Sequence, residues 1–152
     1  MEGLTGLSAH RLAGMLAARE LSAAELLAAH LDRIEARNPA VNAVVRLAPD
    51  AMDRARAADQ ALARGEPIGP LHGLPFTAKD NFETEGVVTA IGVPERAVTV
   101  PAADATAVAR LRAAGAILVG KTNCPPWGGA GQSYTGVRTA SQPAIQAPSS
   151  AR

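Results

Sequence analysis

Two amines stand apart from the other cations in this sequence. Of 15 basic residues only Lys79 and Lys121 are lysines, and the rest are arginines. Arginine holds its charge under ordinary conditions and cannot serve as a base. A lysine can, once burial lowers its pKa from about 10.4 toward neutrality. A neutral amine beside a serine hydroxyl can take the hydroxyl proton and generate a nucleophile. Each lysine follows a short apolar run and precedes a polar pair ending in Asn: Lys79-Asp80-Asn81 and Lys121-Thr122-Asn123. A lone lysine at a strand end is ordinarily a solvated charge or a surface ion pair. Position alone therefore assigns no role.

Other chemistries find less support. Cys124 is the single cysteine, so no internal disulfide forms, and it reads as a packing residue rather than a nucleophile. His10, His30 and His72 are scattered without ligand spacing, so neither a metal nor another cofactor is expected. Gly115 and Gly120-Lys121-Thr122 fit the letters of a phosphate loop. The intervening 116–119 is strand-like, however, and Pro125-Pro126 blocks the helix that such a loop requires. Lys121 is read as structural.

With 152 residues there is room for about one domain. Hydrophobic residues make up 47% and aromatic residues 3%, so the core must be built from Ala, Leu, Val and Ile. The net charge is +1 with acids and bases interspersed, which gives no clustered basic face for nucleic acid. No apolar run reaches the roughly 20 residues of a membrane span. The start lacks the basic and apolar regions of a signal peptide, so a cytoplasmic location is expected.

The elements that must position the lysines follow from periodicity. Residues 8–19 form a short amphipathic helix with Leu12, Met15 and Leu16 on one face. A second helix starts at Ser22, where Ser22-Ala23-Ala24-Glu25 makes a capping box, and ends at Asn38-Pro39. Leu27, Leu31 and Ile34 line its inner side. Residues 41–47 are extended. A third helix covers 49–64, with Met52, Ala55 and Leu62 inward and Gly65 closing it. Residues 74–78 form a buried strand that delivers Lys79 at its end. Residues 84–101 have no period, being broken by Gly86, Gly92, Pro94 and Pro101. A fourth helix at 104–114, a Gly115 turn and a strand at 116–119 complete a β-loop-α-β order. The expected class is α/β: N-terminal helices, then the beginning of a mixed, partly parallel sheet with covering helices.

Four segments together resemble the amidase-signature family. Gly73-Leu74-Pro75-Phe76-Thr77-Ala78-Lys79-Asp80-Asn81 is similar to the segment that supplies that family's catalytic lysine. Residues 104–116 resemble its next helix and turn, and Gly120-Lys121-Thr122-Asn123 its next strand end. Leu21-Ser22-Ala23-Ala24-Glu25-Leu26 and Asn42-Ala43-Val44 fit its N-terminal helical region. The resemblance covers roughly 8–134, in order, and implies an incomplete amidase-signature fold. It also implies hydrolysis of a small carboxylic amide through a Lys, a bridging Ser in a cis peptide and a nucleophilic Ser. Lys79 would be the catalytic base, with no cofactor.

The family's Gly-Gly-Ser-Ser-Gly-Gly loop does not follow. Residues 135–152 read as a disordered, frame-altered tail, and Ser149-Ser150 lack the flanking glycines that would open the backbone to an oxyanion. The expected organisation is an amidase-signature part over 1–134, with helices in 8–64 and an α/β part in 65–134. On this reading the chain is a truncated, inactive fragment. If a frameshift caused this, the other reading frame beyond codon 134 should encode a serine-glycine loop. Two other readings stand beside it. One is a non-catalytic helical module, whose Ala-rich 8–64 region offers a homodimer or partner surface. The other, within the family, is a relative of the tRNA-dependent amidotransferase A subunit, although Asn123-Cys124-Pro125-Pro126-Trp127 looks more like a general amidase.

Overall fold

The computed structural model describes residues 3–129. The expectations for the tail at 135–152, including Ser149-Ser150, lie outside the described residues. Helix α1 spans Ala9–Ala17, and the Ser8 hydroxyl accepts the Arg11 amide at its start. Leu12 and Leu16 are buried, and Met15 packs beside them.

Helix α2 spans Ala23–Val41 and opens on the expected capping box. The Glu25 amide donates to Ser22 Oγ at 3.1 Å, and the Ser22 amide donates to Glu25 Oε2 at 3.0 Å. The carboxylate of Asp59, on the next helix, accepts the Ala23 and Ala24 amides at 2.7 and 3.1 Å. The four N–H groups that a helix start leaves open are thereby satisfied. Replacing Ser22 with Ala should cost about 1 kcal/mol, read as a lower urea midpoint at unchanged slope.

The end of α2 corrects the sequence reading. The helix continues through Asn38-Pro39 to Val41, with Pro39 inside its last turn. There the missing proline N–H leaves only one ladder bond unmade. The stop comes at Asn42, in the left-handed region with φ 48°, whose amide donates to the Asn38 carbonyl. The buried Asn38 side chain brackets the next strand, donating to Val44 O at 2.7 Å and accepting from Val44 N at 2.8 Å.

Strand β1 is Val44–Leu47, shorter than the expected extended stretch. Helix α3 is Ala51–Ala63, and its Ala51 and Ala55 are buried. Strand β2 is Pro75–Lys79, α4 is Thr106–Ala113, and β3 is Ile117–Thr122. The sheet order is β1-β3-β2, with β3 antiparallel to β1 and parallel to β2. This is the mixed, partly parallel α/β arrangement expected. Strand β3 runs three residues beyond its expected end at 119, which places Lys121 inside the sheet rather than after it.

Residues from all parts of the described chain share one core: Leu12, Leu16, Leu26 and Leu27 from the first two helices, Val108 from α4, and Ile117, Leu118 and Val119 from β3. Among the described residues the core is aliphatic, as the composition required. Phe82 and Trp127 are exposed, and Phe76 is partly buried at its edge. Among the described residues no helix is long and apolar enough to cross a membrane.

Candidate active site

Strands β2 and β3 are parallel, and their C-terminal ends lie side by side, with Ala78 opposite Lys121 and Lys79 opposite Thr122. In open α/β sheets ligands bind beyond such carboxyl ends. Lys79 is the last residue of β2 and is half-buried. Side chains alternate across a strand, so Lys79 leaves the sheet on the face opposite to Ala78.

The chain then turns sharply. The Phe82 amide donates to the Lys79 carbonyl at 3.0 Å, and the Asp80 amide donates to the Thr122 carbonyl at 2.9 Å. The Asp80 carboxylate accepts the Ala90 amide at 3.2 Å through Oδ2, while the Asp80 carbonyl accepts Ile91 N–H at 3.3 Å. Asp80 therefore closes the loop of residues 80–91 on itself. Ile91 has φ 54° and Trp127 φ 57°, conformations that β-branched and bulky residues rarely adopt. The Trp127 amide donates to Ile91 O at 3.0 Å, so these two strained residues join the loop after β2 to the loop after β3.

Lys121 occupies the other face and is wholly buried. Its Nζ donates to Phe82 O, to Thr84 Oγ1 at 3.0 Å and to Thr89 Oγ1 at 2.9 Å, and lies 3.8 Å from Asp80 Oδ1. Burial pushes this amine down to about 8, against the attraction of Asp80. Burial also pushes the Asp80 carboxyl up, against Lys121 and Arg46. Arg46 lies opposite Lys121 in the β1–β3 register and is 5% exposed. Its three guanidinium nitrogens have no hydrogen-bond partner among the described residues, and burial lowers its pKa.

Below about pH 8 both the folded and unfolded chains hold the Lys121 proton, and the fold carries the cost of the buried charge. From about 8 to 10.5 the unfolded chain binds more protons, so this group's contribution to stability rises with pH. The unfolding free energy of wild type relative to Lys121→Met should therefore grow between pH 7.5 and 9.5 in urea titrations. A shrinking difference would contradict this placement of the amine.

Sequence reasoning singled out Lys79, and the structure puts it at the open strand end. Cys124 is buried, as a packing residue should be, and its Sγ donates to Pro125 O. The Gly115-to-Lys121 segment is a turn and a strand, so it forms no phosphate loop. Arg46, Asp80, Thr84 and Thr89 were missed as parts of a buried polar cluster. A surface hollow lined by Arg19, Ser22, Glu25, Asp59 and Leu62 lies at the start of α2 and includes no strand residue. Among the described residues no group of His, Cys, Asp and Glu could hold a metal ion.

Lys79 thus ends a parallel strand of the α/β sheet, half-buried. The Amidase family matches this chain over residues 25–144, and the chain belongs to that family. It is 48% identical over 124 residues to the glutamyl-tRNA(Gln) amidotransferase A subunit of Salinispora arenicola, covering 81% of this chain and 25% of that protein. To an indoleacetamide hydrolase of Bradyrhizobium diazoefficiens it is 45% identical over 106 residues, covering 69% and 20%. The solved peptide amidase of Stenotrophomonas maltophilia aligns with TM-score 0.73 and 36% identity, over 79% of this chain and 25% of that one. The chain thus spans about a quarter of the length of these relatives.

Proposed function

We propose that this chain carries the base of an amide hydrolase, with Lys79 as its catalytic lysine. The observation that carries the reading is the placement of Lys79: the last residue of a parallel strand, half-buried, inside a segment of amidase-signature type. In the mechanism that the family resemblance implies, the Lys79 amine draws a proton through a bridging serine from a nucleophilic serine. The serine oxygen attacks the amide carbonyl, ammonia or an amine leaves, and water releases the acyl group. Backbone amides of the serine loop stabilise the oxyanion. A small-molecule carboxylic amide is the proposed substrate of the complete enzyme, without a cofactor and in the cytoplasm.

The test is a chimera that joins residues 1–129 to the remainder of the Bradyrhizobium indoleacetamide hydrolase. Hydrolysis of indoleacetamide is the expected result. A chimera that unfolds cooperatively yet hydrolyses nothing would count against the proposal.

A second reading, a glutamyl-tRNA(Gln) amidotransferase A subunit, is favoured by the 48% identity to a protein of that name. It uses the same lysine and differs in the partner and in the fate of the ammonia. Co-purification with further subunits would select it, and a homodimer or monomer would select the stand-alone amidase.

A further inference from the structure

We propose that Lys121 is the positioning residue for Lys79, its buried ammonium fixing the loop that leaves β2 and so the strand end from which Lys79 projects. The inference rests on the reading of Lys79 as the base.

The hydrogen-bond directions define what Lys121 does. Thr84 Oγ1 donates to Phe82 O at 3.0 Å, and Thr89 Oγ1 donates to Val87 O at 3.3 Å. Both hydroxyl protons are committed to carbonyls, so the oxygen lone pairs face Nζ. With Phe82 O, Nζ meets three acceptors, and an ammonium has three protons to give. The cage fits the charged amine; a neutral amine would leave one acceptor unfilled.

What the cage holds leads directly to Lys79. Phe82 accepts from Lys121 at its carbonyl and donates from its amide to the Lys79 carbonyl. Asp80, next to Lys79 in the chain, is 3.8 Å from Nζ and ties the far end of the loop through Ala90 and Ile91. Lys121 lies on the opposite sheet face, so it does not touch the substrate side. Its influence passes through the backbone of 80–82. Asp80, Arg46, Asp104 and Cys124 are the charged and titratable groups acting on it. A lysine that merely filled space would need neither three acceptors nor a carboxylate held by the same turn.

Only two lysines are present, so [ε-13C]lysine labelling of the whole chain gives two side-chain signals. Positioning predicts that the Lys79 signal shifts as Lys121 deprotonates, and that it also responds to a change in the cage that leaves every charge in place. In Lys121→Met the inflection should vanish. Thr89→Val removes one acceptor without changing charge, and should also move the Lys79 signal. The wild-type titration needs no variant to fold. A Lys79 signal that does not follow the titration of the Lys121 signal, or that Thr89→Val leaves unmoved, overturns the proposal and leaves the base reading intact. An indoleacetamide hydrolase chimera unaffected by Lys79→Ala overturns the base reading itself.

Discussion

Replacing Lys79 with Ala in the active chimera should lower kcat at least about a thousandfold, with KM little changed. Groups that activate a nucleophile are worth this much when removed alone, because the remaining parts cannot start the reaction without them. The structure makes the substitution a clean one. Lys79 is half-buried at the end of β2, and its side chain leaves the sheet on the face away from the Lys121 cage. Melting temperature should therefore hold while activity falls. Lys79→Arg is the sharper variant. It keeps the positive charge but cannot act as a base, so it should be as inactive as Lys79→Ala. An active Arg variant would show that the site needs a cation there and not a proton acceptor.

The largest stability effect is expected at Gly120, in the centre of β3. A Cβ built there would sit 2.1 Å from the Arg46 carbonyl oxygen and 3.1 Å from Leu47 Cα, both backbone. The obstacle cannot rotate away as a side chain could. Moving β1 outward would break the Ala48 amide bond to Val119 O, which closes the pair at 2.8 Å. Gly120→Ala should cost about 3 kcal/mol or more, at the upper end of overpacking effects, and lower the melting temperature by roughly 10 °C or more. The control is Gly14→Ala on α1, where a Cβ meets nothing within 4 Å. There alanine should add up to about 1 kcal/mol, because glycine is the poorer helix former. Equal melting of Gly120→Ala and wild type would contradict the β1–β3 register.

Gly120 also shows why part of the fold was hidden in the sequence. The apolar run of Ile117, Leu118 and Val119 announces a strand, whereas Gly-Lys reads as its end. The strand continues because only a residue without a side chain lets β1 approach, and because Lys121 finds its acceptors inside. Those acceptors, Phe82, Thr84 and Thr89, fall within and just before the aperiodic stretch of 84–101. Loop hydrogen bonds leave no periodic signature, so the cage was not legible. The α2 start was legible because a capping box is local, with donor and acceptor three residues apart. Its end was not, since the left-handed Asn42 and the Asn38 bracket on Val44 outweighed Pro39. Lys79 stood out because an amine can lose a proton and a guanidinium cannot. Arg46 gave no such signal: nothing in Val44-Val45-Arg46-Leu47 shows that the guanidinium is buried along with the two valines.

Intact mass of the chimera during reaction with a slowly deacylated aryl ester gives the most direct reading of what the side chain at 79 does. With Lys79 present, one acyl group should accumulate on the protein in a burst at neutral pH. With alanine in its place, the burst should disappear while the protein stays folded. An adduct that forms on the alanine protein as fast as on the lysine protein would mean that the hydroxyl is activated by some other group.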